Sequence, residues 1–257
     1  RNAQMEALRR QVLARFDKQL VQHFMHFYPI ECRLAGGEPQ ILRLVQRGRR
    51  RAESHGYVTQ GQVALYVGLI FMLGSDFDRD PQLPWAAAQI DDTSIADPTA
   101  RIRRIYGSAV EYLRTTAGDN TRHLVRAMVR IRAHDFSTAS DSTGEQRENE
   151  LCDLLNRLYP EKYAFQGETA TRNLIRHGIE SSARYGISSS AGIIVLVTLM
   201  FMLGSGCDKD PLYPWAQGIL EDATITGEGA RVNRLHAEAM NYLNASFVRG
   251  KGEGEQP

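Results

Sequence analysis

Residues Phe71–Ala86 read "FMLGSDFDRDPQLPWA", and Phe201–Ala216 read "FMLGSGCDKDPLYPWA". The likeness runs well beyond these two stretches. Aligned without gaps at an offset of 130, residues 41–113 and 171–243 share 24 of 73 positions, far above a chance shift. Leu44, Gly48 and Gly56 meet Leu174, Gly178 and Gly186. Asp78, Asp80, Pro81 and Trp85 meet Asp208, Asp210, Pro211 and Trp215, while Arg101, Tyr112 and Leu113 meet Arg231, Tyr242 and Leu243. Upstream, a one-residue slip lays Phe27–Pro29 on Leu158–Pro160. The expected architecture is all-α, with two tandem homologous helical-bundle repeats of about five helices each. Their expected limits are 1–117 and 146–248, joined by a connecting helix and polar linker over 118–145 and followed by a disordered tail at 249–257.

Each unit reads as helix throughout. A first helix ends at Tyr28-Pro29 or Tyr159-Pro160, because proline disfavours helix in the residue before it. A second runs from Glu38 to His55, or from Glu168 to Tyr185, with Gly56 or Gly186 as a left-handed cap. Gly48 and Gly178 lie inside it, where glycine costs about 1 kcal/mol relative to alanine. Keeping it twice implies a close helix crossing. The third helix is opened by Thr59 with Gln62, or by Ser188–Ser190, and is apolar on nearly every side, so it belongs at a bundle centre.

The Asp-Pro pairs at Asp80-Pro81 and Asp210-Pro211 read as N-caps with proline at the first helical position. The short helix that follows carries Trp85 or Trp215, expected to fill space beside the third helix. A fifth helix starts after Asp97-Pro98, or near Thr226, with an apolar stripe at Ile102, Ile105, Ala109 and Tyr112. On this reading Trp85, Trp215, Gly48, Gly178, Asp80 and Asp210 are the structural core of the repeat.

The bulk properties suit a globular protein of 257 residues, 42% apolar and 24% charged. The longest apolar run, Ala191–Leu203, is shorter than the ~20 residues of a membrane span, so no membrane partner is expected. Three cysteines without repeated spacing argue against a disulfide framework and for a cytoplasmic setting. The chain starts at Arg1 rather than Met, as a trimmed N-terminus would. The net charge of +1 hides an imbalance: residues 1–130 carry 19 basic and 13 acidic side chains, the remainder 12 and 17. Opposed fields of this kind serve recognition of a charged partner.

Candidate sites are few. Asp76, Asp78 and Asp80 alternate as calcium-loop carboxylates do, with Asp208 and Asp210 matching the last two. However, Pro81 stands where that loop needs glycine, and Asp76 becomes Gly206 in the second unit. Capping is the simpler reading, and no cofactor is expected. Cys207 replaces Phe77, which indicates packing rather than reactivity. His23 and His26 share a helix face without a third ligand. Arg47, Arg49, Arg50 and Arg51 form a basic cluster that the second unit lacks, so it is the candidate partner-binding surface. With no aromatic residues interleaved, an acidic protein fits it better than a nucleic acid.

The pattern of Tyr185-Gly186, Phe71–Ala86, Phe201–Ala216 and Arg231–Leu243 resembles bacterial helical proteins encoded beside type VI secretion and polymorphic-toxin genes. The resemblance implies an immunity protein that neutralises a toxin, or an adaptor that loads an effector, and brings no catalytic residues. The expected function is therefore a non-enzymatic protein-binding module. Two alternatives stand beside it: a metal-dependent enzyme or factor using the Asp-x-Asp-Pro loops, and a nucleic-acid binder using Arg47–Arg51.

Overall fold

The computed structural model describes residues 2–136 and 140–247, and among them it is all-helical, with no strand. The first half contains α1 (Asn2–Phe27), α2 (Pro29–Leu34), α3 (Glu38–Ser54), α4 (Gln60–Leu73), α5 (Pro84–Ile90) and α6 (Pro98–Ala117). A single 3-10 turn at Asp119–Thr121 leads into α7 (Arg122–Ala133), which lies where the connecting helix was expected. Then follow α8 (Gly144–Leu158), α9 (Pro160–Arg184), α10 (Ser190–Leu203), α11 (Pro214–Leu220) and α12 (Glu228–Phe247). The expected tail at 249–257 and residues 137–139 of the expected linker lie outside the described residues. No helix among the described residues is long and apolar enough to cross a membrane.

The local rules explain most element ends. Gly56 at φ +80° and Gly186 at φ +67° close α3 and α9, each with the next amide reaching back into the last turn. Those amides are Tyr57 N to the Ala52 carbonyl at 2.9 Å and Ile187 N to the Ser182 carbonyl at 3.0 Å. Thr59 and Gln62 make the capping box that opens α4, and Ser189 accepts from Gly192 N to open α10. Two differences from the sequence reading concern prolines. Pro29 and Pro160 each start a new helical segment at once, so α2 is an additional helix. In α9 the counterpart of the α2–α3 break shrinks to a kink at Gly167, φ +78°. The last long helix of the second half begins at Glu228, two residues beyond the expected Thr226.

α4 and α10 lie at the centre. Tyr66, Val67, Leu69 and Ile70 are buried in α4, and Val195–Phe201 are all buried in α10. In the first half α3 and α6 pack on α4; in the second, α9 and α12 pack on α10. α6 packs against α9 across the halves, and Leu212 of the second half joins the core of the first. α5 packs principally on α6, with Trp85 beside Tyr112 at 6.2 Å, and Trp215 lies 6.0 Å from Tyr242 of α12. Both tryptophans are half-buried and pack on the core of their own half, beside a tyrosine of its last long helix.

The two internal glycines mark close crossings. A Cβ on Gly48 would lie 2.7 Å from the Ile70 Cδ1 tip, and one on Gly178 would lie 2.6 Å from Val197 Cγ2. The tip of Ile70 swings aside and Val67 Cγ2, 3.0 Å from a Gly48 Cβ, need give only a few tenths of an ångström, whereas Val197, a helical valine with essentially one rotamer, must move further. Gly178→Ala is expected to lose about 2 kcal/mol by overpacking, net of a propensity gain of about 1 kcal/mol, while Gly48→Ala stays within about 1 kcal/mol of the parent. Urea denaturation of both variants checks this; equal stabilities would remove the distinction.

Candidate functional site

The duplicated loop sits where the halves meet. α4 ends at Gly74 (φ +99°) and α10 at Gly204 (φ +104°), and the two turns face each other. A Cβ on Gly74 would come within 3.2 Å of the Leu203 carbonyl oxygen, and one on Gly204 within 3.1 Å of that of Leu73. Only glycine meets both the backbone angle and the space. The next residues exchange hydrogen bonds: Ser205 N donates to Asp80 Oδ2 at 2.8 Å, and Ser75 N donates to Asp210 Oδ2 at 2.7 Å. Each aspartate also closes its own turn, accepting from Gln82 N at 2.9 Å or from Leu212 N at 2.8 Å.

This corrects the capping assignment. Asp80 and Asp210 are not the N-caps of the short helices. α5 starts at Pro84 after Leu83, and α11 at Pro214 after Tyr213, without side-chain caps. Both loops hold two prolines able to occupy the first helical position, and the later one takes it. That frees the aspartates to serve the amides of the opposite half. They are nonetheless core residues, at 3% and 2% exposure.

Burial sets the electrostatics of the seam. It pushes both carboxyls up, Asp210 to about 6, although the backbone amides pull the other way. Lys162, on α9, is buried beside them and donates to the Phe201 carbonyl, with its ammonium 5.1 Å from the Phe201 ring centre. Burial lowers its pKa to about 8, against the pull of Asp80. Gly74, Asp80, Gln82, Tyr112, Lys162 and Gly204 help line a cavity of about 170 Å³ between the halves.

Asp76 and Asp78 belong to a separate cluster. Asp78 Oδ2 accepts from Arg51 Nε at 2.6 Å and from the Tyr66 hydroxyl at 2.8 Å, with His55 Nε2 at 2.8 Å. Arg51 Nη1 also reaches Asp76 Oδ1 at 2.7 Å. Burial alone would raise the Asp78 carboxyl, but hydrogen bonds from His55, Tyr66 and Arg51, with the arginine charge, hold it below its ordinary value. In the second half Asp208 accepts from Ser181 Oγ at 3.0 Å and the Tyr185 hydroxyl at 2.9 Å, and Arg184 stands off at 3.8 Å. Asp78→Asn is therefore expected to cost about 2 kcal/mol and Asp208→Asn about 1 kcal/mol, since only the first removes a charge from a close, half-buried arginine. Chemical denaturation distinguishes them, and a larger loss for Asp208→Asn would contradict the assignment. Among the described residues no three His, Cys, Asp or Glu side chains gather as metal ligands do.

The four arginines do not make one surface. Arg49 binds Asp17 at 2.9 Å and Glu53 at 3.2 Å, and Arg51 turns inward to Asp76 and Asp78. Arg47 reaches the Lys209 carbonyl at 3.4 Å, and Arg50 is exposed. Cys207 is buried in the core, as is Phe77 at the matching place. The sequence reading missed Arg51 as the partner of Asp78, and it missed the facing glycines. Gly74 and Gly204 could have been found, since both copies keep "FMLGS".

Comparison of the chain with protein-family models, with curated proteins and with solved structures gives no match.

Proposed function

We propose that the chain is a duplicated helical unit acting as a non-enzymatic protein-binding module, of the toxin-neutralising or effector-loading kind. One observation carries the reading: at the seam and at the helix crossings, residues kept in both halves are buried and used up by the scaffold. Gly74, Gly204, Asp80 and Asp210 build the seam, and Gly48 and Gly178 seat the helix crossings. Where the halves differ at exposed positions, as at Arg50 and Glu180, the difference is open to a partner. The opposed charge of the halves supports fast, oriented encounter with a bacterial toxin or secreted effector. The resemblance to proteins of type VI secretion and polymorphic-toxin loci rests on Tyr185-Gly186, Phe71–Ala86, Phe201–Ala216 and Arg231–Leu243. The test is co-expression with the toxin or effector encoded beside it. Co-purification together with restored growth is expected; undiminished toxicity without a complex would refute the proposal.

A further inference from the structure

The second half shows how one of its grooves is filled. After α7 the chain places Phe136 against His236 of α12, ring centres 5.3 Å apart, at 8% exposure. Ser142 Oγ then donates to Glu150 of α8 at 2.7 Å, and Arg147 Nε donates to the Ser142 carbonyl at 2.7 Å. Phe136 and residues 140–143 thus lie against α8, α10 and α12, leaving about 260 Å³ beside Phe136.

The matching junction of α1, α4 and α6 is an open groove of about 420 Å³. Tyr106 stands where the second half has His236, Ala64 where it has Ile194, and Gly68 where it has Thr198. With the upstream slip of one, Phe16 and Gln19 replace Arg147 and Glu150. The smaller residues widen the groove, and no Asp, Glu, Lys or Arg side chain lines it. Val110, one turn beyond Tyr106, is 47% exposed, whereas its match Met240 packs on the core. Met5, Leu8 and Val12 extend the apolar stripe of α1 from Phe16 outward and are exposed. Arg9, Arg10 and Arg15 are exposed beside them.

Resting on the protein-binding reading above, we propose that this groove takes an extended segment of a partner protein. Its anchor is a phenylalanine or tryptophan held between Tyr106 and α1, as Phe136 is held against His236. The segment is uncharged where it enters the groove, because the lining has no Asp, Glu, Lys or Arg to pair a buried charge and its one imidazole, His23, packs on Phe24 and Phe27. It is acidic in its flanks, which face the arginines of α1.

The probe is a phage-displayed library of random peptides of about ten residues, selected on the immobilised full chain. Enriched peptides are expected to carry one Phe or Trp, and replacing it with alanine should weaken binding about tenfold or more, measured by fluorescence anisotropy. Ala64→Ile with Gly68→Thr installs the second half's own residues and should weaken binding by a similar factor. If that variant melts early, Tyr106→His, again a residue of the second half, takes its place. Hydrogen exchange should slow on bound α1 and α4. Enrichment without an aromatic anchor, affinity unchanged in the filled variants, or protection elsewhere would overturn the groove assignment while leaving the protein-binding reading intact. A toxin that fails to co-purify strikes that reading and not the groove.

Discussion

Asp80→Ala is expected to destabilise the chain by about 3 kcal/mol, with Asp210→Ala costing as much. Each carboxylate is buried and serves two backbone amides: Gln82 N and Ser205 N for Asp80, Leu212 N and Ser75 N for Asp210. Alanine leaves both donors buried without an acceptor, at about 1–3 kcal/mol each. Asparagine is no remedy, because its NH2 group must confront one of the two N–H donors. The facing turns also share one seam, so losses in the double variant should not simply add. Once either aspartate is gone the opposite loop is already loosened, and the second deletion should cost less than the first. Asp97→Ala is the control. That residue caps α6 through Thr99 N and Ala100 N in an exposed position, and its loss should cost about 1 kcal/mol. Urea denaturation of the four variants gives the comparison. If Asp80→Ala costs no more than Asp97→Ala, the seam is not held by its aspartates.

That comparison also shows where the sequence was legible. Asp80-Pro81 and Asp97-Pro98 are the same dipeptide, and the N-cap rule applies equally to both. It describes Asp97 correctly and Asp80 wrongly, because capping is local while the Asp80 partner is Ser205, 125 residues away. Helices, glycine caps and the buried α4 and α10 followed from neighbours a turn or less apart, so periodicity revealed them. The crossing at Gly178 was legible because a costly residue is kept twice. Gly74 and Gly204 are also kept twice, yet as helix-ending glycines they have a sufficient local explanation, which hides that each faces the other's backbone. The arginine cluster misled for the opposite reason. A run of Arg47, Arg49, Arg50 and Arg51 looks like one charged face, but successive helical residues point about 100° apart. Arg51 is consequently drawn to Asp78 and Arg49 to Asp17. Differences between the halves mark partner surface only where the side chain faces out, and Arg51 differs from Ser181 because Asp78 and Asp208 are satisfied by different donors.

Lys162→Met is expected to change how stability depends on pH more than its value at any one pH. The side chain is buried, and burial lowers its pKa from 10.5 to about 8. Between those values the unfolded chain holds a proton that the folded chain has released, so stability rises with pH across this window. The stabilisation is complete above about 10.5 and is lost as pH falls through about 8, with a total near 3 kcal/mol. Buried tyrosines oppose the rise at its upper end, because burial pushes Tyr112 and Tyr213 up and they resist ionisation in the fold. The difference between parent and variant cancels that contribution and isolates the lysine. Near neutral pH the variant should match or exceed the parent, since a methionine of similar volume replaces a buried charge. The lost hydrogen bond to the Phe201 carbonyl, at the end of α10, limits that gain. As pH rises from 7 to 10, the parent should gain about 2–3 kcal/mol on the variant. On the acid side Asp80, which the Lys162 charge pulls down, should titrate higher in the variant, while Asp210 should behave alike in both proteins. Asp210 titrates upward to about 6, so its contribution is present below about 4 and lost as pH rises through 6, whether or not residue 162 is charged. A parent-minus-variant difference that is flat from pH 7 to 10 would mean that the Lys162 amine is as hydrated in the fold as in the open chain.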